Sequence, residues 1–387
     1  MRLKSKKILI FTTNRSDYGL LKKFIYLCKN SKYLKPTLVV SGSHLEKKFG
    51  YTLNEIKEDN LIEYEKAFLN FSSDTPRDYC KVIARGFEIF SRIIEKKKPD
   101  LIVVLGDRIE LIPICYSALL FNIPIAHFNG GELTEGAVDD SIRHSISKIS
   151  HVHFVANEIY RKRLIKMGED PKRIFIVGGT SVDNIKSSYL LNSNTLKNKF
   201  NLIYGKKNFL VTYHPVTLDI KRSIAEIQNL LNVLNKYKDY GIIFTGTNID
   251  PNNNAIRSKI LNFCKRNKNV SYVESFGHKN YLSLMKFSDV IIGNSSSGIL
   301  EAPYLKKPVV NVGNRQGGRV KSKNIISCKS SYLSILKAVK KADSLQFLKK
   351  IKNLKTFYGD GNASLKATKI LEKINLKNIL IKKFYEK

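Results

Sequence analysis

The sequence predicts an α/β protein of two doubly wound, parallel-sheet domains facing each other across a cleft. Three observations carry this. Short continuous apolar runs such as Leu101–Leu105 (LIVVL) recur along the chain. Runs of this kind read as strands buried on both faces, as in a parallel sheet. Stretches of helical period lie between them, Tyr79–Lys98 among them, and that alternation marks βαβ units. The pattern occurs twice, on either side of a looser Ser/Asn/Lys stretch near Asn184–Gly205. A length of 387 residues leaves room for two domains and a large core.

The first expected strand, Lys7–Thr13, runs into Asn14-Arg15-Ser16-Asp17-Tyr18-Gly19, and a helical pattern follows from Leu20. A strand, a polar turn and a helix start make a natural anion site, where Arg15 could pair with a phosphate or merely close a surface turn. The dinucleotide fingerprint GxGxxG is absent. Pro36–Ser41 is a second strand ending in Gly42-Ser43-His44; a lone histidine there is more often structural than catalytic. Tyr79–Lys98 leads into Leu101–Leu105, which stops at Gly106-Asp107-Arg108. Ile123–Phe128 ends in Asn129-Gly130-Gly131-Glu132, a flexible Gly-Gly turn beside a carboxylate. Asp139 and Asp140 then head a helix that carries Arg143 and His144, with Ile142, Ile146 and Ile149 as its buried stripe. Ligands of parallel sheets sit beyond the carboxyl ends of the strands, so these polar residues converge on one crevice. Val152–Ala156 and Ile174–Val177 complete the first half.

The second half repeats the plan. Asn208–Tyr213 ends in His214-Pro215, and Gly241–Phe244 ends in Thr245-Gly246-Thr247-Asn248. Val270–Glu274, Asp289–Ile292 and Pro308–Val312 follow. The expected domains are residues 1–190 and 191–387, with the last helix packing back on the first domain and a ligand held between the two. The most specific motif here is Gly293-Asn294-Ser295-Ser296-Ser297-Gly298, which follows a strand and opens a helix. Hydroxyls and free backbone N–H groups at a helix start suit a phosphate. A simple cap needs one serine, and this stretch has three flanked by glycines. Glu301, in the first turns of that helix, suits ribose hydroxyls, and Arg315 lies past the next strand on the same rim.

Composition narrows the class. The formal charge of +34 raises nucleic-acid binding. The excess is spread over the whole chain, mostly as lysine, with no basic arm or repeated aromatic stacking motif, so solvated lysine-rich faces are the preferred reading. A nucleotide's phosphates would also welcome a positive field. The five cysteines are scattered, without CxxC or Cys/His spacing, and predict reduced thiols in a cytoplasmic protein. No run reaches the roughly 18 apolar residues of a membrane span, and no signal-like stretch opens the sequence.

With these motifs in hand, the chain resembles the nucleotide-sugar 2-epimerases that act on UDP-N-acetylglucosamine, and within them the hydrolysing branch of sialic-acid and related nonulosonate biosynthesis. The resemblance covers nearly the full chain, from TTNRSDYGLL through SGSHL, GDRIE, GGELTEGAVDDSIRHSISK, YHPVT, GTNID and GNSSSGILEAPYLKKPVVNVGNRQGGR to GDGNAS. It implies two Rossmann-like domains as in GT-B glycosyltransferases, no metal, no nicotinamide or other cofactor, and a homo-oligomer, dimer or tetramer. Arg15, His214, Ser295, Ser296, Glu301 and Arg315 look like contacts to the nucleotide diphosphate and ribose. His44, Asn129, Asn248 and Ser297 stand in the same motifs and are counted as further contacts. Base recognition is expected in variable loops around Phe276 and Tyr281. Asp107, Asp139, Asp140 and Arg143 look like the catalytic cluster. Immediately before the Gly-Gly pair the better-known members carry a glutamate where this chain has Asn129; Glu132 is the nearest carboxylate to stand in.

The chemistry fits these residue types. Inversion at C2 of an N-acetylhexosamine has no carbonyl to acidify that carbon. The family's route removes the C2 proton and expels the nucleotide from C1, giving a 2-acetamidoglycal to which water adds. It calls for a base, an acid and support for the leaving diphosphate, and several carboxylates in one crevice allow those roles to be divided. Asp139 and Asp140 at a helix start are expected to be held ionised by the dipole, with Arg143 orienting Asp139 across four residues. The expected reaction is UDP-N-acetylglucosamine to free N-acetylmannosamine plus UDP. The alternatives are the same chemistry on a GDP-linked 2,4-diacetamido-trideoxyhexose of the legionaminic acid pathway, a non-hydrolysing epimerase, and a GT-B glycosyltransferase, which would leave C2 unchanged.

Overall fold

The apolar runs of the first half become parallel strands: β1 (Lys6–Thr12), β2 (Leu34–Ser41), β3 (Tyr64–Ala67), β4 (Leu101–Leu105), β5 (Ile125–Phe128), β6 (Val152–Val155) and β7 (Ile174–Ile176). They form one seven-stranded sheet in the order β3-β2-β1-β4-β5-β6-β7. Side chains alternate across it. Ile8 and Ile10 of β1 pack into one core with Phe24, Val103 and Phe154, while Leu9 and Phe11 pack into another with Phe90, Val104 and Ile114. Both faces are therefore covered, and that is why β1 and β4 show no polar alternation. The computed structural model behind this description covers residues 4–386 except 48–50, 74, 135–137, 188–189, 215–219 and 247–252.

The second half builds a six-stranded sheet from β8 (Asn208–Thr212), β9 (Gly241–Thr245), β10 (Val270–Val273), β11 (Val290–Gly293), β12 (Val309–Val312) and β13 (Ile325–Cys328). Its order is β10-β9-β8-β11-β12-β13, again parallel. Phe209 and Val211 face one core and Leu210 the other. In both sheets the order reverses beside the first strand, between β1 and β4 and between β8 and β11. Such switch points open a crevice at the carboxyl ends of the strands. At the second, Gly293 (φ +136°) pairs with Thr212, and a Cβ there would run into the Thr212 carbonyl.

The structure adds to and corrects the sequence reading. Strands β3 and β13 were not expected. Both are edge strands, and neither has a continuous buried run. The first helix begins at Arg15 and not Leu20, because Asn14 caps it by accepting the Asp17 N–H at 2.9 Å. The stretch NRSDYG is thus the cap and first turn. The triple-serine loop opens only one helical turn, Ser297–Leu300, so little macrodipole is available there.

By its own packing the chain forms two units, Met1–Asn184 with Tyr358–Lys387, and Ile185–Phe357. The division falls after Asn184 and not after residue 190, because Asn184 and Asp183 are tied into the first unit. Asn184 Nδ2 donates to the Gly19 carbonyl at 2.9 Å. Asp183 accepts the backbone N–H groups of Ala363 (2.8 Å) and Ser364 (2.6 Å). It thereby caps the helix Ala363–Lys373, whose Ala363, Ala367 and Leu371 share a core with Phe24 and Cys28 of the helix Arg15–Lys29. Among the described residues no helix is long and apolar enough to cross a membrane. Replacing Asp183 by Ala strands two buried N–H donors and is expected to cost about 1–3 kcal/mol in urea unfolding. An unchanged midpoint would show that the returning helix needs no cap.

Candidate active site

In the first unit the site is assembled where β4 and β5 end. Strand β4 stops at Gly106 (φ +83°), and Asp107 follows. Strand β5 stops at Asn129, whose φ of +64° is left-handed. Asparagine tolerates that conformation better than most side chains, which gives a backbone reason for an amide at this position. The Gly-Gly turn is closely packed. A Cβ on Gly130 would lie 2.9 Å from Ser147 Oγ, and one on Gly131 would lie 2.6 Å from the Tyr160 carbonyl. Arg163 also donates to the Gly131 carbonyl. The glycines are there for close packing, and they deliver Glu132 into a buried position.

The helix Val138–Ile149 supplies the rest of this cluster. Arg143 is only 4 % exposed. Its Nη2 donates to Asp107 Oδ2, and its Nη1 lies 3.7 Å from Asp140 Oδ1. The other oxygen of Asp140 lies 3.4 Å from His144 Nε2, and the Thr134 N–H donates to Asp140 Oδ1 at 2.6 Å. The expected pairing of Arg143 with Asp139 is therefore corrected: the guanidinium turns inward to Asp107 and Asp140. Burial lowers the His144 pKa, with Asp140 opposing.

Asp139 stands instead in the field of a second arginine. Arg108 feels Glu110, Asp17 and Asp139, all of which raise its pKa against the cost of burial. Glu110 is 1 % exposed and meets Arg108 Nε at 3.5 Å. Asp17 is pushed up to about 6 by burial, against a 2.7 Å bond from Thr13 Oγ1 and the charge of Arg108. Arg108, Glu110 and Asp17 are not among the site residues expected from the sequence. The signal was present in GDRIE directly after a buried strand, and in the spacing of Asp17 three residues after the Asn14 cap. Arg15 is exposed and pairs with Glu55 at 2.7 Å. The expected ligand contact at His44 is corrected. The ring is fully buried, with Nε2 3.0 Å from Thr12 Oγ1 and Nδ1 2.8 Å from Thr52 Oγ1. Burial lowers it to about 4, and both nitrogens are occupied within the core.

In the second unit Asn294 organises the switch point. Its Oδ1 accepts the His214 N–H and its Nδ2 donates to the His214 carbonyl, both at 2.8 Å. Its own carbonyl accepts from Arg315 Nη1 (3.2 Å) and Gln316 Nε2 (2.9 Å). His214 is lowered to about 4 by burial and then by Arg315, so the imidazole is neutral. Ser295, Ser296 and Ser297 are half-buried. Tyr281 Oη lies 2.6 Å from Ser297 Oγ, which donates to Ser295 Oγ at 3.0 Å. Burial pushes Glu301 up to about 7, with Arg319 opposing. Phe276 is corrected from a base contact to a core residue. It is buried against Phe200, ring centroids 4.8 Å apart. Asn248 lies outside the described residues.

Comparison with known proteins gives a consistent family. The family model described as UDP-N-acetylglucosamine 2-epimerase matches residues 27–372. The chain is 39 % identical to the GDP/UDP-N,N'-diacetylbacillosamine 2-epimerase (hydrolyzing) of Campylobacter jejuni subsp. jejuni serotype O:2, over 99 % of this chain and 100 % of that protein. It is 33 % identical to the UDP-N-acetylglucosamine 2-epimerase of Neisseria meningitidis serogroup B, over 88 % of each. The fold is GT-B-like. A crystal structure of the Neisseria meningitidis UDP-GlcNAc 2-epimerase bound to UDP-GlcNAc superposes with a TM-score of 0.75 at 20 % identity, covering 95 % of this chain and 100 % of that one.

Because Asn294 satisfies both backbone groups of His214, Asn294→Ala is expected to destabilise the protein by about 1–3 kcal/mol. Asn294→Asp keeps the acceptor but turns the donor into an oxygen facing the His214 carbonyl, so it should be no more stable than Asn294→Ala in thermal unfolding. Equal stability of all three proteins would contradict the clamp.

Proposed function

This chain belongs to the UDP-N-acetylglucosamine 2-epimerase family, and we propose that within it the protein is a hydrolysing epimerase of a nucleotide-linked 2,4-diacetamido-trideoxyhexose, N,N'-diacetylbacillosamine. The observation that carries this reading is the full-length similarity to the Campylobacter jejuni enzyme of that name. Asn129 is in keeping with it, because an amide at the end of β5 distinguishes this chain from the better-known glutamate-bearing members. UDP-N-acetylglucosamine is the second reading, supported by the Neisseria meningitidis relative.

In the proposed cycle a carboxylate takes the C2 proton. The C2–H electrons form the C1=C2 bond, and the nucleotide leaves from C1 with the electrons of the C1–O bond. Water then adds its oxygen to C1 and releases one proton to solvent while a second acid protonates C2 on the opposite face, and the base returns its proton to solvent. Asp107 is the first candidate for base, because Arg143 places a permanent charge on it. Buried Glu132 is the candidate acid, and Asp139 beside Arg108 the next. In the second unit, Ser295, Ser296 and Arg315 would hold the diphosphate and Glu301 the ribose hydroxyls.

The test offers the protein UDP- and GDP-N,N'-diacetylbacillosamine and UDP-N-acetylglucosamine separately, with released nucleotide and sugar followed by NMR. The expected outcome is free diacetamido sugar with inverted C2, at a kcat/KM about 100-fold above that for UDP-N-acetylglucosamine. The reverse preference would favour the second reading. A product still joined to nucleotide would contradict hydrolysis.

Glu301 adds a pH dependence. A carboxylate that accepts ribose hydroxyls must be ionised, and burial holds this one back to about 7. UDP affinity is therefore expected to rise severalfold from about pH 6 to about pH 8, and Glu301→Gln should flatten the profile. The free protein moves the opposite way: a raised acid pKa makes this group's contribution to stability fall as pH climbs from its ordinary value through 7. Identical calorimetric profiles for the two proteins would remove Glu301 from the nucleotide.

A further inference from the structure

We propose that His127 is a positioning residue that fixes Asp107, Glu132 and the helix of Asp139, Asp140 and Arg143 in one register, acting as a neutral ring with its proton on Nε2. His127 lies on β5, fully buried. Its Nε2 is 2.8 Å from the carbonyl of Gly106, and its Nδ1 is 3.3 Å from Ser147 Oγ. A carbonyl only accepts, so Nε2 carries the hydrogen and Nδ1 accepts from the serine. Three chain segments meet in this one ring. Gly106 precedes Asp107. His127 begins the run into Asn129, Gly130, Gly131 and Glu132. Ser147 is one turn beyond Arg143 on the helix Val138–Ile149.

Packing alone does not hold Gly106. It has a φ of +83°, and a Cβ built on it would meet nothing within 4 Å. Its peptide is steered by hydrogen bonds, the N–H to the Phe128 carbonyl at 3.1 Å and the carbonyl to His127. Rotating that carbonyl would swing Asp107 relative to Arg143. Gly130 leaves room for the arrangement, since a Cβ there would lie 3.2 Å from His127 Nδ1. Burial lowers the ring to about 3, with the Gly106 carbonyl opposing and the charges of His153 and His144 adding to it. The ring therefore serves by geometry and passes no proton in the cycle. A merely structural histidine would make the same two hydrogen bonds, but its replacement would lower stability without moving kcat against KM.

The test separates those two roles. Gln at 127 can place a donor where Nε2 stands, and Asn reaches only the Nδ1 position. The kinetic arm rests on the proposed function; the spectroscopic arm does not. His127→Gln is expected to keep kcat within about tenfold, while His127→Asn loses roughly 100-fold, the scale of a 1 Å misplacement. KM and UDP affinity should be unchanged in both. In the wild-type chain, 15N NMR of the ring should show a neutral Nε2–H tautomer across the neutral pH range. Equal kcat in the two variants, or a ring protonated at Nδ1, would overturn the proposal. Failure of the wild type to turn over any nucleotide sugar would instead strike the proposed function, and the tautomer would still report whether the ring donates to the Gly106 carbonyl.

Discussion

The first unit's site depends on one buried cation. Arg143 is almost inaccessible, and its guanidinium is held by Asp107 from the end of β4 and faces Asp140 on its own helix. An unpaired charge in that position costs several kcal/mol, and breaking such a pair typically costs 3–5 kcal/mol. The helix is also anchored by Ile142 and Ile146, each worth roughly 1.5–3 kcal/mol of apolar burial. Those isoleucines fix the helix against the sheet. The arginine specifies that Asp107 and Asp140 meet.

Two arginines divide the acids. Arg143 takes Asp107 and Asp140, and Arg108 takes Glu110 and lies near Asp17 and Asp139. A chain with a formal charge of +34 thus gathers a cluster of acids at the carboxyl end of one sheet. The second unit uses different means. Asn294 clamps the end of β8, hydroxyls from Thr212, Tyr281, Ser295 and Ser297 lie in a chain, and His214 is neutral. Neutral donors beside one arginine suit a diphosphate that must be released after each turnover.

The core strands were legible because burial on both faces leaves an unbroken apolar signature, as in LIVVL and KILIFT. Edge strands β3 and β13 carry no such signature, since one side of each is open. The helix at Arg15 was read late because its start is set by a polar cap and not by periodicity. Candidate residues in contiguous motifs stand out in the sequence, as with Asp107, the DDSIRH block and the serine loop. Pairings between motifs do not. Spacing allows Arg143 to reach Asp139 or Asp140 on its own helix, and only the fold shows that Asp107, thirty-six residues earlier, wins a share of it. His44 and Phe276 were misplaced for a related reason: a polar or aromatic residue after a strand looks ligand-facing until its burial and its partners are known.

In the proposed mechanism this carboxylate cluster breaks the C2–H bond of a nucleotide sugar and expels the nucleotide. The most direct measurement is turnover of UDP-N,N'-diacetylbacillosamine in D2O, with the product's C2 position read by NMR. Elimination and reprotonation by a solvent-exchanged carboxyl predict a free sugar fully deuterated at C2. A released sugar that keeps its C2 hydrogen would contradict the mechanism.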